Sequence, residues 1–226
     1  MAEAQEARRH AAYDRTRLGC GVTVEAQVQH TFGEVVRTLG GVDVLVPNAG
    51  VALVKSIDHL GLDEARRVVD VNYFGVLSVL RAAGSIFRAQ RTGGSVVINS
   101  SKNVFAPGKD FAAYSASKAA AHQLGKVAAI ELAAIGVRVN MINADGVFSH
   151  GETPSGLWAE VGPDRAKSRG LTLAELPEFY RKRNLLGAAV SARDVGRAVV
   201  FFASEQTPTT GATLPVDGGV VEAFPR

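Results

Sequence analysis

Ser100-Ser-Lys-Asn-Val-Phe-Ala-Pro-Gly-Lys-Asp-Phe-Ala-Ala-Tyr-Ser-Ala-Ser-Lys118 holds the residue types of proton-transfer chemistry. From about Phe111 the residues are small and favour a helix, so Tyr114 and Lys118, four apart, share one helical face. That sets an ammonium beside a phenol. A neighbouring positive charge favours the phenolate, which predicts a Tyr114 pKa lowered from about 10 toward working pH and a usable proton donor or acceptor. A Tyr and a Lys at this spacing are also an ordinary helix-surface pair. Ser101, thirteen residues before Tyr114, distinguishes the two readings. It follows Gly94-Ser-Val-Val-Ile-Asn99, an apolar β-branched run too short for a helix, which reads as a buried parallel strand ending at Ser100 and Ser101. A hydroxyl at that strand end is placed to hold a substrate oxygen.

The elements that must position these groups alternate. Residues 2–13 read as a helix, Thr16 to Cys20 as a weak strand, and Val24 to Leu39 as an amphipathic helix with Val28, Phe32, Val35 and Val36 on one side. Strand 42–46, a long helix from 63 to about 90, strand 94–99, helix 111–134 and strand 137–142 follow. Helices alternating with short apolar strands predict an α/β fold with a doubly wound parallel sheet and right-handed crossovers, in a single domain over residues 1–226. An insertion at about 147–190 is rich in aromatic and basic residues and predicts a lid of short helices. In it, Trp158, Tyr180 and Arg181 are candidates for contacting a small polar or anionic substrate, with simple packing of Trp158 as the alternative.

With these motifs the chain resembles the short-chain dehydrogenase/reductase family over roughly residues 15 to 221. The family pattern is a strand-end Ser followed by Tyr-x-x-x-Lys, matched by Ser101, Tyr114 and Lys118. Asn48-Ala49-Gly50 matches the family's Asn-Ala-Gly beside the adenosine half of the cofactor, and Asp70-Val71-Asn72 its active-site Asn, which supports the lysine through a water. Gly136-Val-Arg-Val-Asn140 matches the next strand, and Gly211 with Pro215-Val-Asp-Gly-Gly219 the carboxyl-terminal strand and turn. The resemblance implies a Rossmann-like fold and an NAD(P)-dependent oxidoreductase with Asn72, Ser101, Tyr114 and Lys118 as catalytic set. It also implies cofactor contacts from Asn48, Ala49, Gly50, Tyr114, Lys118, Asp145 and Val147, and substrate contacts from Ser101, Trp158 and Tyr180. NAD is expected, with NADP left open, and the two long helices are expected to make a homo-oligomer, a dimer or tetramer. A narrower resemblance, to the dehydrogenase domain fused to rhamnulose-1-phosphate aldolase in bifunctional sugar-degrading proteins, implies a sugar, polyol or hydroxy-aldehyde such as lactaldehyde.

The chain also departs from the family pattern. Asn143-Ala-Asp-Gly146 stands where Asn-Pro-Gly is usual, and Pro47 precedes Asn48 in place of an Asn. A strand, glycine-rich turn and helix normally receive the pyrophosphate, with an acidic residue about 20 positions on. Here Gly19-Cys-Gly21 reads as a plain turn, and Met1 aligns inside the helix after the family's second strand. A chain lacking the first βαβ segment is therefore expected. It would leave strand 42–46 at an open edge unless residues 16–20 pair with it, and would bind dinucleotide poorly. The alternative function is a catalytically weak remnant serving as a non-catalytic oligomer subunit.

The composition is that of a globular chain: 226 residues, 46% hydrophobic, 21% charged, with a net charge of +3. Cys20 is the one cysteine, which excludes an internal disulfide or a cysteine metal site and fits a reducing cytoplasm. The histidines show no metal-ligand spacing, so no metal is expected. Arg181-Lys-Arg183 reads as a solvated helix face, which argues against nucleic acid as a partner. No apolar run reaches a membrane span and the amino terminus is not signal-like, so no membrane partner is expected either.

Overall fold

A computed structural model describes residues 17–149, 151, 153–204 and 207–224. The helix expected over 2–13 lies outside them. Among the described residues, β1 (Val44–Leu45), β2 (Gly94–Asn99), β3 (Val137–Ala144) and β4 (Thr213–Val216) form one parallel sheet in that spatial order. The helices are α1 (Glu25–Leu39), α2 (Leu62–Val69), α3 (Gly75–Gln90), α4 (Ala112–Leu132), α5 (Gly156–Ser168), α6 (Leu176–Lys182) and α7 (Ala192–Ala203). The sheet and its flanking helices make the expected Rossmann-like α/β fold.

β2 shows why the strands read as continuous apolar runs. Its side chains alternate between two covered faces: Val96 and Ile98 pack with Phe87, Ala121 and Met141, while Val97 packs with Ile142, Ala198 and Phe202. β3 sits beside it in register, with Val96 opposite Val139 and Ile98 opposite Met141. α4 lies close to this pair because Gly125 faces it. A β-carbon at Gly125 would come within 2.9 Å of Ile98 Cδ1 and of Met141 Sδ. After α4 the chain turns back into β3 through Gly136, whose φ of 73° suits glycine.

Three expectations change. The strand over 42–46 keeps ladder pairing only at Val44–Leu45, and residues 17–20 form no strand, so β1 has an open edge among the described residues. Arg17, Leu18 and Gly19 are exposed, and nothing on their apolar side is buried enough to hold them to the sheet. The long helix from 63 to 90 is interrupted by a π-helical turn over Asp70–Phe74, where the Gly75 N–H reaches back to the Asp70 carbonyl and Asn72 becomes buried. Finally, α7 was not expected. Its signal is local: Ser191 and Asp194 form a reciprocal capping box, and Val195, Val199 and Phe202 follow at helical spacing. No helix among the described residues is long and apolar enough to cross a membrane.

Candidate active site

The site is built where β2 ends. Ser100 is held to β3 by its N–H to the Ile142 carbonyl at 2.8 Å. Ser101, extended and 5% exposed, accepts the Asn103 N–H at 3.2 Å and so caps a short 3₁₀ turn over Lys102–Val104. α4 then brings Tyr114 back over the strand end, where its phenol and the Ser101 hydroxyl line the same cavity and Ser101 acts to lower the phenol's pKa. One turn on, the Lys118 Nζ lies 6.0 Å from the Tyr114 ring centroid and donates to the Asn99 carbonyl at 2.9 Å. It also lies against Gly50, where a β-carbon would stand 3.4 Å from it. Asn99 in turn donates to Asn48 Oδ1 at 2.7 Å, tying the Asn-Ala-Gly loop to the strand end.

The electrostatics differ from expectation at Tyr114. Burial pushes its phenol above the ordinary tyrosine value; Ser101 opposes this, while Asp145 and Tyr180 add to the rise. Lys118 does not lower it, because its ammonium is directed at the Asn99 carbonyl. The lysine carries the other shift: burial brings Lys118 from 10.5 down to about 8. Asn72 also differs. Its amide is committed to Val51, accepting from the N–H and donating to the carbonyl, both at 2.9 Å, and to Ser117 Oγ at 2.9 Å. It fastens the loop after Gly50 to α4 and makes no hydrogen bond to Lys118.

A cavity of about 620 Å³ opens over these groups. Asn48, Gly50, Ser101, Tyr114 and Lys118 line one part of it, and Asp145, Val147, Trp158 and Tyr180 another. Ala49, also expected at the cofactor, is exposed and does not line it. Of the expected lid, α5 and α6 supply the covering aromatics. Trp158 stacks on Phe148 at 4.4 Å and meets Tyr180 edge-on at 5.0 Å, so it both packs and lines. Arg181 does not line this cavity; it is partly exposed and pairs with Glu178 at 2.6 Å. Arg183, read as part of a solvated face, instead makes a bidentate pair with Asp145 and stands 4.0 Å over the Tyr180 ring. Sequence reading also missed Asn103, Phe111 and the α7 residues Val195, Gly196 and Val199 on the cavity wall. Only the α7 set carried a local signal.

The site can be tested for fit to a dinucleotide. The cavity size suits a bound small molecule. Lys118, Tyr114 and Asn48 give donors and acceptors at its floor, and Asn99 Oδ1 and Ser100 Oγ are buried without a partner there. These fit the nicotinamide-ribose half. The pyrophosphate finds no comparable seat among the described residues: the Gly21 N–H is taken by Gln27 Oε1 at 2.7 Å, and Val24 caps α1 without a side-chain bond.

Residues 2–156 match the family model described as short chain dehydrogenase. The uncharacterized oxidoreductase YuxG of Bacillus subtilis is 36% identical over 206 residues, covering 91% of this chain and 30% of that protein. The chain thus spans less than a third of YuxG. L-2,3-butanediol dehydrogenase of Corynebacterium glutamicum is 30% identical over 205 residues, covering 90% of this chain and 77% of that one. The crystal structure of sorbitol-6-phosphate 2-dehydrogenase from Erwinia amylovora aligns with a TM-score of 0.86 at 25% identity, covering 96% of this chain and 84% of that one. A match that runs from residue 2 through α4 to the start of α5, over a fold shared with the Erwinia enzyme, places the chain in the short-chain dehydrogenase family.

Proposed function

We propose that the chain is an NAD(P)-dependent oxidoreductase acting on a small hydroxyl or carbonyl compound, a sugar, polyol or hydroxy-aldehyde such as lactaldehyde, with NAD preferred. The observation that carries this is that Ser101 and Tyr114 line one cavity together, with the Lys118 ammonium one helical turn from the tyrosine. In oxidation, Ser101 holds the substrate hydroxyl while Tyr114 takes its proton, and in reduction Tyr114 returns it. A phenol raised by burial keeps its proton more firmly, which suits Tyr114 to donate it in reduction. Lys118 and Tyr114 would hold the nicotinamide ribose, and the bound nucleotide supplies the hydride chemistry. Asn72 is a positioning residue that keeps Gly50 and Val51 against α4. Trp158 and Tyr180 exclude water from the cavity.

Tyr114→Phe removes only the proton-carrying oxygen. Turnover is expected to fall by about 10² or more with unchanged circular dichroism. A variant that kept most of its turnover at saturating cofactor would overturn the role of Tyr114. The weakly active reading draws support from the want of a pyrophosphate seat among the described residues, and on that reading NAD should bind the 226-residue chain weakly. Calorimetry giving a dissociation constant near 1 μM, about −8 kcal/mol, would rule it out. A homo-oligomer through α3 and α4 belongs to the same proposal, supported by Val127 and Ile130 exposed on α4. Light scattering showing only monomer would remove that part.

A further inference from the structure

We propose that the substrate of this site carries an anionic group, a carboxylate or a phosphate monoester, bound at the Tyr180 hydroxyl in the field of a cationic wall of Lys102, Arg165, Arg169 and Arg183 that stands behind it. The inference rests on the oxidoreductase reading and adds the substrate's charge to it.

Tyr180 and Phe111 line the cavity, whereas none of the four cations does; Arg165 stands behind both rings. Its Nε donates to the Tyr180 hydroxyl at 3.2 Å, its Nη1 to the Lys109 carbonyl at 2.7 Å, and its Cζ lies 4.6 Å from the Phe111 ring centroid. Arg165 is 1% exposed, yet it pairs with no carboxylate, and its Nη2 donates to no acceptor among the described residues. An arginine cannot shed its proton to relieve such burial. Arg183 stands over the Tyr180 ring, and Arg169 lies 5.6 Å from the Phe179 ring centroid. Lys102, the residue after Ser101, is 7% exposed and donates to the Ala106 carbonyl at 2.7 Å.

The charges on this wall do not balance. Lys102 is repelled by Arg183, Arg165 and Arg169 and attracted by Asp145, while Asp110 acts on Arg169. Asp145, the carboxylate that lines the cavity with Tyr180, is already taken by Arg183, and Lys102 and Arg165 have no carboxylate partner among the described residues. A buried cation without a counter-ion is costly, so an anion entering at the Tyr180 end of the cavity would be favoured. The Tyr180 hydroxyl accepts from Arg165, which leaves its own proton to be donated into the cavity as a charge-assisted bond. Tyr180 also acts electrostatically on Tyr114, so the anion would lie near the reacting oxygen, within the reach of a small hydroxy acid or sugar phosphate.

Glycerol, glycerate and glycerol 3-phosphate share a three-carbon skeleton and differ in charge. Each is titrated calorimetrically into the full chain in phosphate-free buffer at low and high salt, and each is offered as a substrate with NAD and with NADP. Glycerate or glycerol 3-phosphate should bind at least about tenfold tighter than glycerol at low salt, and whichever is preferred identifies the anion. The preference should be lost in Lys102→Met and in the exposed Arg169→Ala, and kept in Lys182→Ala on α6. Anions binding no tighter than glycerol, or a preference that survives both wall variants, would overturn the proposal. Nucleotide-dependent turnover of glycerol without any anion preference removes the anion site and leaves the oxidoreductase reading standing. Anion preference without turnover of any of the three does the opposite.

Discussion

Replacing Lys102 with methionine should make the protein more stable. Burial, reinforced by Arg183, brings the Lys102 pKa from 10.5 down to about 8. That difference corresponds to about 3 kcal/mol spent on holding the ammonium in the fold at neutral pH. Between pH 8 and 10.5 the unfolded chain binds the extra proton, so stability rises with pH by about 1.4 kcal/mol per pH unit. Below pH 8 the full penalty applies. Lys118, lowered to about 8 by burial, contributes in the same direction over the same window. In Lys102→Met the chain length is kept and the charge removed, but the Ala106 carbonyl loses its donor, a cost of about 1 kcal/mol. A net gain of about 2 kcal/mol at pH 7 follows, shrinking to nothing as pH approaches 10. Urea denaturation of both proteins at pH 7, 8, 9 and 10 measures it, in buffers free of phosphate because a bound anion would itself relieve the penalty. At an m-value of about 2 kcal/mol/M the midpoint should move by about 1 M at pH 7. A variant less stable than the parent at pH 7, or two stability curves running parallel from pH 8 to 10, would refute the reasoning.

Gly125→Ala places a methyl 2.9 Å from Ile98 Cδ1 and Met141 Sδ, so overpacking should outweigh the gain in helix propensity and cost about 1 kcal/mol or more in a urea melt. An unchanged or higher midpoint would mean that α4 can move off the sheet freely. His122, buried and near Lys126, has its pKa lowered, chiefly by burial. The unfolded chain therefore takes up a proton first on acidification, and the stability present above pH 6.5 is lost as pH falls through the folded value. His122→Gln should flatten that part of the curve below about pH 6.5, and an undiminished slope would exclude His122 as its source.

Strand 94–99 was legible to the residue because Val96, Val97 and Ile98 are buried on both faces and need only a short β-branched run. The Tyr114–Lys118 relation follows from helical periodicity, and Ser101 from its place at the end of that strand. α7 was equally local, with its Ser191–Asp194 cap written in four residues. Tertiary structure decided the rest. Asn72 could be matched to a motif, but its partners at Val51 and Ser117 exist only once the π-helical turn carries it inward. Arg183 sits in a basic run that reads as solvated, and becomes a site residue only because Asp145, 38 positions away, is brought beneath it. The direction of the Tyr114 shift reversed for the same reason. Spacing shows which charges are near along a helix, whereas desolvation depends on what closes over the phenol, and that is set by segments distant in the chain.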